Sequence, residues 1–264
     1  MQTQSKTQKI AVTGATGRLG SHLVETLEQR GHDVVPIARS KGVDVVSGEG
    51  LDEALAGAET IIDTATGPSP DQEEATAFFT ASARNLQRAG AAAGAKRIVV
   101  VSIIGIDKFQ GGYNAAKVAQ EQTLLEGPLP VRIVRAAQFH EFVDPLVGWT
   151  IQDGVAYLPE MRTQLVAARV VAETLADTAE EPEIQNGRIT EIAGPREERL
   201  ADAARALFAS RGDSFEIHEV RGGPLAEPGN PDAAAYAEGA ALPNPGAKLA
   251  GPSFEEWLAA LATA

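Results

Sequence analysis

The sequence predicts a doubly wound α/β fold, a parallel sheet flanked by helices, with a small C-terminal lobe. Three observations carry this. Strand-like apolar runs alternate with helical periodicities through residues 9–137, and right-handed crossovers turn such alternation into a parallel sheet covered on both faces. A glycine triplet, Gly14-x-x-Gly17-x-x-Gly20, separates the first strand from the first helix. Beyond residue 142 the pattern loosens, and residues 222–252 are rich in glycine, proline and alanine.

The elements follow in order. Ile10-Ala11-Val12 is a short apolar strand, and Leu19, Leu23 and Leu27 recur at helical spacing after the glycines. Gly31 stands where that helix needs a left-handed terminator. Asp33–Ala38 reads as the second strand, Val43–Val46 as a short third, and Leu51–Leu55 as a helical turn or two. Thr60–Ala65 is the fourth strand, stopped by Thr66-Gly67-Pro68-Ser69-Pro70. A long helix is expected over Asp71–Ala93, with Phe78, Ala81, Leu86 and Ala89 among its buried residues and Gly94 at its end. Arg97–Ile103 has the continuous β-branched character of a strand buried on both faces. A helix over Tyr113–Leu125 and a sixth strand over Val131–Arg135 complete the regular part. Later come a helix over Val166–Thr178, a strand over Gly187–Ala193 that can rejoin the sheet, and a helix over Leu200–Ala209. The last helix opens with Ser253 and Glu256, a capping box, and presents Phe254, Trp257, Leu258 and Leu261 as a docking face. Residues 1–141, with the returning strand near 187–194, are therefore expected to form the nucleotide-binding core. Residues 142–264 are expected to form a lobe of the same structural unit that covers the substrate.

Composition narrows the function. Hydrophobic residues at 44% and charged residues at 22% describe an ordinary globular chain of 264 residues. A net charge of −13 argues against a nucleic-acid partner, because phosphate backbones repel it. The absence of cysteine excludes disulfides, thiolate nucleophiles and cysteine-ligated zinc. His22, His32, His140 and His218 show no metal-ligand spacing, so no metal is expected. The polar N-terminus lacks a signal core, and the most apolar run, Ile98–Ile106, is too short for a membrane span. A cytoplasmic monomer or homodimer acting on a small molecule, without membrane contact, is the expectation.

The glycine turn carries the first chemistry. Gly14 permits a tight turn, Gly17 lets the backbone approach a phosphate, and Gly20 lets helix and strand pack closely; the free N–H groups at the helix start then face a pyrophosphate. Thr16, Arg18 and Leu19 complete the turn. The second strand ends at Arg39 and Ser40, with no acidic residue there to take ribose hydroxyls. An arginine at this point accommodates a 2′-phosphate; one charge-assisted hydrogen bond, about 1.5–3 kcal/mol, favours NADP(H) over NAD(H) by roughly ten- to a hundredfold. Ligands of such sheets bind at the carboxyl ends of the strands. Those ends also hold Ala65, Thr66, Ser102, Ala136, Gln138 and Phe139.

Tyr113 and Lys117 supply the second constellation. Four residues apart on a helix, they share a face. A phenol titrates near 10, and a nearby ammonium brings it into range for proton transfer at neutral pH. The same lysine can hold a nicotinamide ribose.

Here the chain resembles the short-chain dehydrogenase/reductase superfamily, in its atypical NmrA-like branch. The likeness rests on Thr13–Gly20, Val101–Asp107, Tyr113–Lys117 and Arg135–His140, with further similarity at Ile192–Pro195 and Phe254–Leu258. The resemblance implies a Rossmann dinucleotide site and an NADP(H)-dependent oxidoreductase of a small carbonyl or quinone. Tyr113 would be the proton donor, Lys117 its tuner, and Ser102 the partner of the substrate oxygen. Active members place that serine or threonine slightly further along, where this chain has Ile103 and Ile104, so Ser102 is read either as catalytic or as a strand-end cap. Phe139 is expected to wall the nicotinamide pocket. His140 either contacts substrate or is a structural histidine; Phe142 and Trp149 either line the pocket or belong to the core of the lobe. The branch also includes redox sensors without turnover, which is the alternative function.

Overall fold

Glycines at the turns and apolar runs between them set the element boundaries of the computed structural model, which describes residues 7–181, 188–213, 216–221 and 232–262. β1 (Lys9–Thr13) leads through the glycine turn into α1 (Arg18–Gln29), where Leu19, Leu23 and Leu27 are buried. Gly31 ends α1 at φ +83°, as expected of a left-handed terminator. β2 (Asp33–Ile37), α2 (Leu51–Leu55) and β3 (Thr60–Asp63) follow. α3 (Gln72–Ala93) starts at Asp71, whose carboxylate accepts the N–H groups of Glu73 and Glu74 at 2.9 and 3.0 Å. β4 (Arg97–Ile103), α4 (Gly112–Leu125) and β5 (Val131–Ala136) complete the regular alternation.

The strands expected from the sequence hold, with two corrections. Val43–Val46 is a turn, not a strand: the Asp44 carboxylate accepts the N–H groups of Val46 and Ser47 at 2.7 and 3.3 Å, closing the backbone on itself. β3 stops at Asp63, short of Ala65, because the Asp63 carboxylate captures the Ala65 N–H at 3.1 Å. In α3 the buried face runs through Phe79, Ala83 and Leu86, and Phe78 and Ala81 lie only half-buried beside it.

The later chain adds α5 (Val143–Gly148), β6 (Ile151–Gln152), β7 (Val155–Pro159) and β8 (Arg162–Thr163). After these come α6 (Ala168–Glu180), β9 (Ile189–Ala193), β10 (Glu198–Arg199), α7 (Leu200–Ser210) and β11 (Glu216–Val220). α8 (Asp232–Ala237), β12 (Lys248–Leu249) and α9 (Phe254–Leu261) end it. α6 begins two residues later than expected, because Val166 pairs with Phe139 in an isolated parallel bridge. Gly187 and residues 222–231 of the punctuated stretch 222–252 lie outside the described residues. α9 has the expected capping box, with Ser253 and Glu256 bonded reciprocally.

The main sheet has the strand order β12-β9-β5-β4-β3-β1-β2. β1 runs parallel to β2 on one side and to β3 on the other, with Thr13 level with Ile37 and Asp63. The order therefore reverses between β1 and β3, the position where doubly wound sheets take ligands. β9 returns to this sheet and carries β12 parallel beside it.

The chain divides into two compact units. The first comprises the chain through Ser102 with Ala115–Arg135 and Val171–Thr190. Its core joins Ala11, Ile37, Ile61 and Ile98 from the strands with Leu55, Leu86 and Leu124 from the helices. The second comprises Ile103–Asn114, Ala136–Val170 and the chain from Glu191. Its core is built on Val147, Leu158, Leu165, Leu207 and Phe254. It holds a small sheet, β11-β7-β6. β6 and β7 form a hairpin across Asp153 and Gly154, both at positive φ, 50° and 80°.

Candidate functional site

Thr13 ends β1 and Gly14 takes φ +67°, a conformation open to glycine. A Cβ at Gly14 would lie 2.7 Å from the Thr64 carbonyl oxygen and 2.9 Å from Ala65 Cα, so the segment after β3 packs directly on the turn. The Gly17 N–H donates to the Gly14 carbonyl at 2.9 Å, and a Cβ at Gly20 would stand 2.1 Å from the same oxygen. These contacts leave no room for a side chain at Gly14 or Gly20, the latter packed against the turn itself. Gly17 is different: it is exposed and heads α1 with no side-chain cap and no acidic residue in the first helical turn. The helix start is thus a positive backbone end, open to an anion. Thr16 and Arg18 are exposed beside it, whereas Leu19 turns its side chain into the core and leaves only backbone for a ligand.

The Ala15 N–H donates to the Ile37 carbonyl at 3.2 Å and ties the turn to the end of β2. Arg39 and Ser40 follow in a short 3₁₀ turn, Arg39–Lys41, and both are exposed. Ala65 and Thr66 flank the turn from the end of β3, Ala65 half-buried and Thr66 exposed. The residues therefore fit a dinucleotide: a glycine cradle, an uncapped helix end, and an exposed guanidinium beyond the second strand.

Asp63 lies beneath this turn, 1% exposed, and the sequence reading missed it. Its Oδ1 accepts from Thr13 Oγ1 at 2.5 Å and from the Ala65 N–H, and its Oδ2 accepts from Gln120 Nε2 at 2.9 Å. Gln120 Oε1 accepts in turn from Lys117 Nζ. The signal was present: an aspartate closing an apolar strand, and a glutamine one turn past a lysine on the same helix.

Lys117 is 5% exposed. Its ammonium donates to the Val101 carbonyl at 2.9 Å and lies 4.6 Å from the centre of the Phe79 ring. Burial pushes its pKa down to about 8, against the opposing pull of the Asp63 and Glu121 carboxylates. Glu121 is itself gripped by Arg135, whose Nε and Nη2 donate at 3.1 and 2.9 Å. Ser102 lies within β4, its Oγ buried without a hydrogen-bond partner, and the strand runs on to Ile103. It does not cap the strand.

In the second unit, Tyr113 stands half-buried in the first turn of α4. The Ala136 carbonyl accepts the Ile104 N–H at 3.0 Å. Gln138 and His140 bracket Val166, the Gln138 carbonyl accepting the Val166 N–H and the Val166 carbonyl accepting the His140 N–H, both at 3.0 Å. Gln138 Oε1 also accepts from Thr163 Oγ1 at 2.6 Å, and Phe139 is half-buried between these anchors. His140 is structural: fully buried, with Nε2 donating to the Pro252 carbonyl at 3.1 Å and the ring packed on Phe254 and Trp257. Burial lowers its pKa, so it stays neutral. Phe142 meets Trp149 edge-on at 5.4 Å, and Trp149, 59% exposed, lies outside the core.

Comparison with known proteins agrees with an NAD(P)H-binding fold. The family described as NAD(P)H-binding matches residues 14–182. A 4-hydroxy-tetrahydrodipicolinate reductase of Natronomonas pharaonis is 31% identical over 160 residues, 59% of this chain and 54% of that protein. The chain spans about half the length of the curated relatives it matches. Among solved structures, a short-chain dehydrogenase/reductase superfamily protein from Agrobacterium tumefaciens with bound NAD superimposes with a TM-score of 0.68 at 16% identity, over 97% of this chain and 96% of that one. The dTDP-4-dehydrorhamnose reductase of Bacillus anthracis in complex with NADP gives 0.68 at 18% identity, over 97% and 98%. No helix among the described residues is long and apolar enough to cross a membrane.

Proposed function

We propose, because the chain belongs to the NAD(P)H-binding family and has the short-chain dehydrogenase/reductase fold, that it is an NADP(H)-dependent oxidoreductase reducing a small carbonyl or quinone. The observation that carries this reading is the exposed Gly17 at the head of an uncapped, acid-free helix, beside the point where the sheet order reverses. Arg39, exposed after β2 where an acidic residue would select NAD, supports the 2′-phosphate and hence NADP(H). Thr16, Arg18 and Ser40 would add polar contacts, and Ala65, Thr66, Ala136, Gln138 and Phe139 would line the remainder.

Bound NADPH would supply a hydride to the substrate carbon. Tyr113 would donate its Oη proton to the oxygen as negative charge develops there, the role of a general acid. Lys117, charged and one helical turn away, would favour the phenolate left behind. Ser102 would hold the substrate oxygen through its unpartnered hydroxyl.

A second reading, an NADP(H)-binding sensor without turnover, is favoured by one observation: the Lys117 ammonium is committed to Val101, Gln120 and Phe79. Replacing Tyr113 by phenylalanine separates the two. The oxidoreductase loses 10²–10⁴ in turnover and keeps its NADPH affinity; a sensor binds NADPH tightly and turns over nothing before or after the substitution.

A further inference from the structure

The hydrogen bonds beneath the glycine turn share one direction. Thr13 Oγ1, the Ala65 N–H and Gln120 Nε2 all donate to Asp63, and Lys117 Nζ donates to Gln120 Oε1. A carboxylate only accepts and an ammonium only donates, so the Gln120 amide has one possible orientation between them. Asp63 is the acceptor on which the whole chain converges. Thr13 and Ala65 flank Gly14, the residue against which the 64–65 backbone is packed without room for a Cβ.

We propose that Asp63 is a positioning residue for the cofactor site: through Thr13 and Ala65 it fixes the glycine turn, and through Gln120 it fixes the Lys117 ammonium. The proposal rests on the functional reading above, since the turn matters to it as a phosphate cradle. One carboxylate then couples two parts of that site, and the charge on Lys117 and the affinity for cofactor rise and fall together.

The surroundings of Lys117 make Asp63 the adjustable term. β3 contributes Asp63, α4 contributes Glu121, β4 contributes the Val101 carbonyl, and α3 contributes the Phe79 ring. Glu121 is held by two hydrogen bonds from Arg135 of β5, which offset its charge. Among the described residues, the hydrogen bonds to Asp63 come from a hydroxyl, a backbone N–H and an amide, all neutral donors. In Asp63→Asn the charge is gone and one oxygen position becomes an NH₂. If that NH₂ faces Gln120, the glutamine must flip and point its own NH₂ at the ammonium, donor against donor. In Gln120→Glu a carboxylate touches Lys117 directly.

The test is a pH titration of the lysine Cε resonances by NMR in the full chain, where Lys117 is one of seven lysines and is assigned by its loss in Lys117→Met. NADPH affinity is measured by fluorescence across the same pH range. Lys117 is expected to titrate near pH 8 in the wild type. Its midpoint should move down by about one unit in Asp63→Asn and up by a similar amount in Gln120→Glu. Asp63→Asn should bind NADPH about tenfold more weakly at pH 8, a loss that one unpaired buried group can produce. Midpoints unmoved in both variants overturn the proposal, as does a moved midpoint with unchanged NADPH affinity. If Asp63→Asn fails to fold, Gln120→Glu decides on its own: an upward shift with altered affinity supports the coupling, and no shift refutes it. A wild type that ignores NADPH refutes the functional reading and the cofactor arm together, while the Lys117 midpoints still judge the electrostatic arm.

Discussion

Gly20 sits so close to Gly14 that a single methyl group at Gly20 would lie 2.1 Å from the Gly14 carbonyl oxygen. Gly17, three residues before Gly20, leaves a Cβ 3.1 Å from that same oxygen and faces outward. One turn thus contains a glycine locked in by packing and another that faces outward.

The two positions should separate on substitution. Gly20→Ala forces the turn and α1 apart, and we expect it to lower the midpoint of thermal unfolding by several degrees, as an overpacking cost of about 1–3 kcal/mol implies. Gly17→Ala, whose Cβ would meet the same oxygen at 3.1 Å rather than 2.1 Å, should lose less stability than Gly20→Ala and lose NADPH binding by tenfold or more. Calorimetric titration and thermal melts on both variants decide; normal NADPH affinity in Gly17→Ala would make the turn purely structural.

Under the proposed function, Arg39 would set the choice of cofactor. We expect wild-type protein to bind NADPH ten- to a hundredfold more tightly than NADH, from one charge-assisted contact of about 1.5–3 kcal/mol. Arg39→Ala should remove most of that preference while leaving NADH affinity nearly unchanged. Equal affinities in the wild type would contradict the 2′-phosphate assignment.

Lys117 makes a signed prediction about alkaline stability. An unfolded chain holds the lysine proton up to its ordinary pKa of 10.5, whereas the folded chain releases it near 8. Between those values the unfolded state binds more protons, so stability rises with pH, by about 1.4 kcal/mol per unit at most. Below pH 8 the cost of the buried charge is carried in full. Denaturant unfolding of the wild type and of Lys117→Met should therefore diverge from pH 8 to 10, the wild type gaining. Parallel curves would place the ammonium in water.

The glycine turn, most strands of the main sheet and the Tyr113–Lys117 spacing were legible in the sequence because each is a local pattern with a local cause. Val43–Val46 misled because β-branched residues look alike in a strand and in a turn; the Asp44 side chain decided the matter by taking two backbone N–H groups. The β6–β7 hairpin went unread although Asp153-Gly154 is a turn signal, because its flanking strands are short. Asp63 and Gln120 were not found, because their importance arises only when β3 and α4 meet, 57 residues apart in the chain. The direction of the Lys117 side chain was likewise beyond helical spacing, which assigns a face but not the partners waiting there.

Turnover with NADPH decides between the oxidoreductase and the sensor. NADPH oxidation, followed by absorbance against a panel of ketones, aldehydes and quinones, should show substrate-dependent consumption in the wild type. Consumption should fall 10²–10⁴-fold in Tyr113→Phe with NADPH affinity intact. Turnover undiminished in Tyr113→Phe would contradict the phenol as proton donor and point to direct hydride transfer to a quinone. Tight NADPH binding with no consumption on any substrate would contradict the oxidoreductase and leave the sensor.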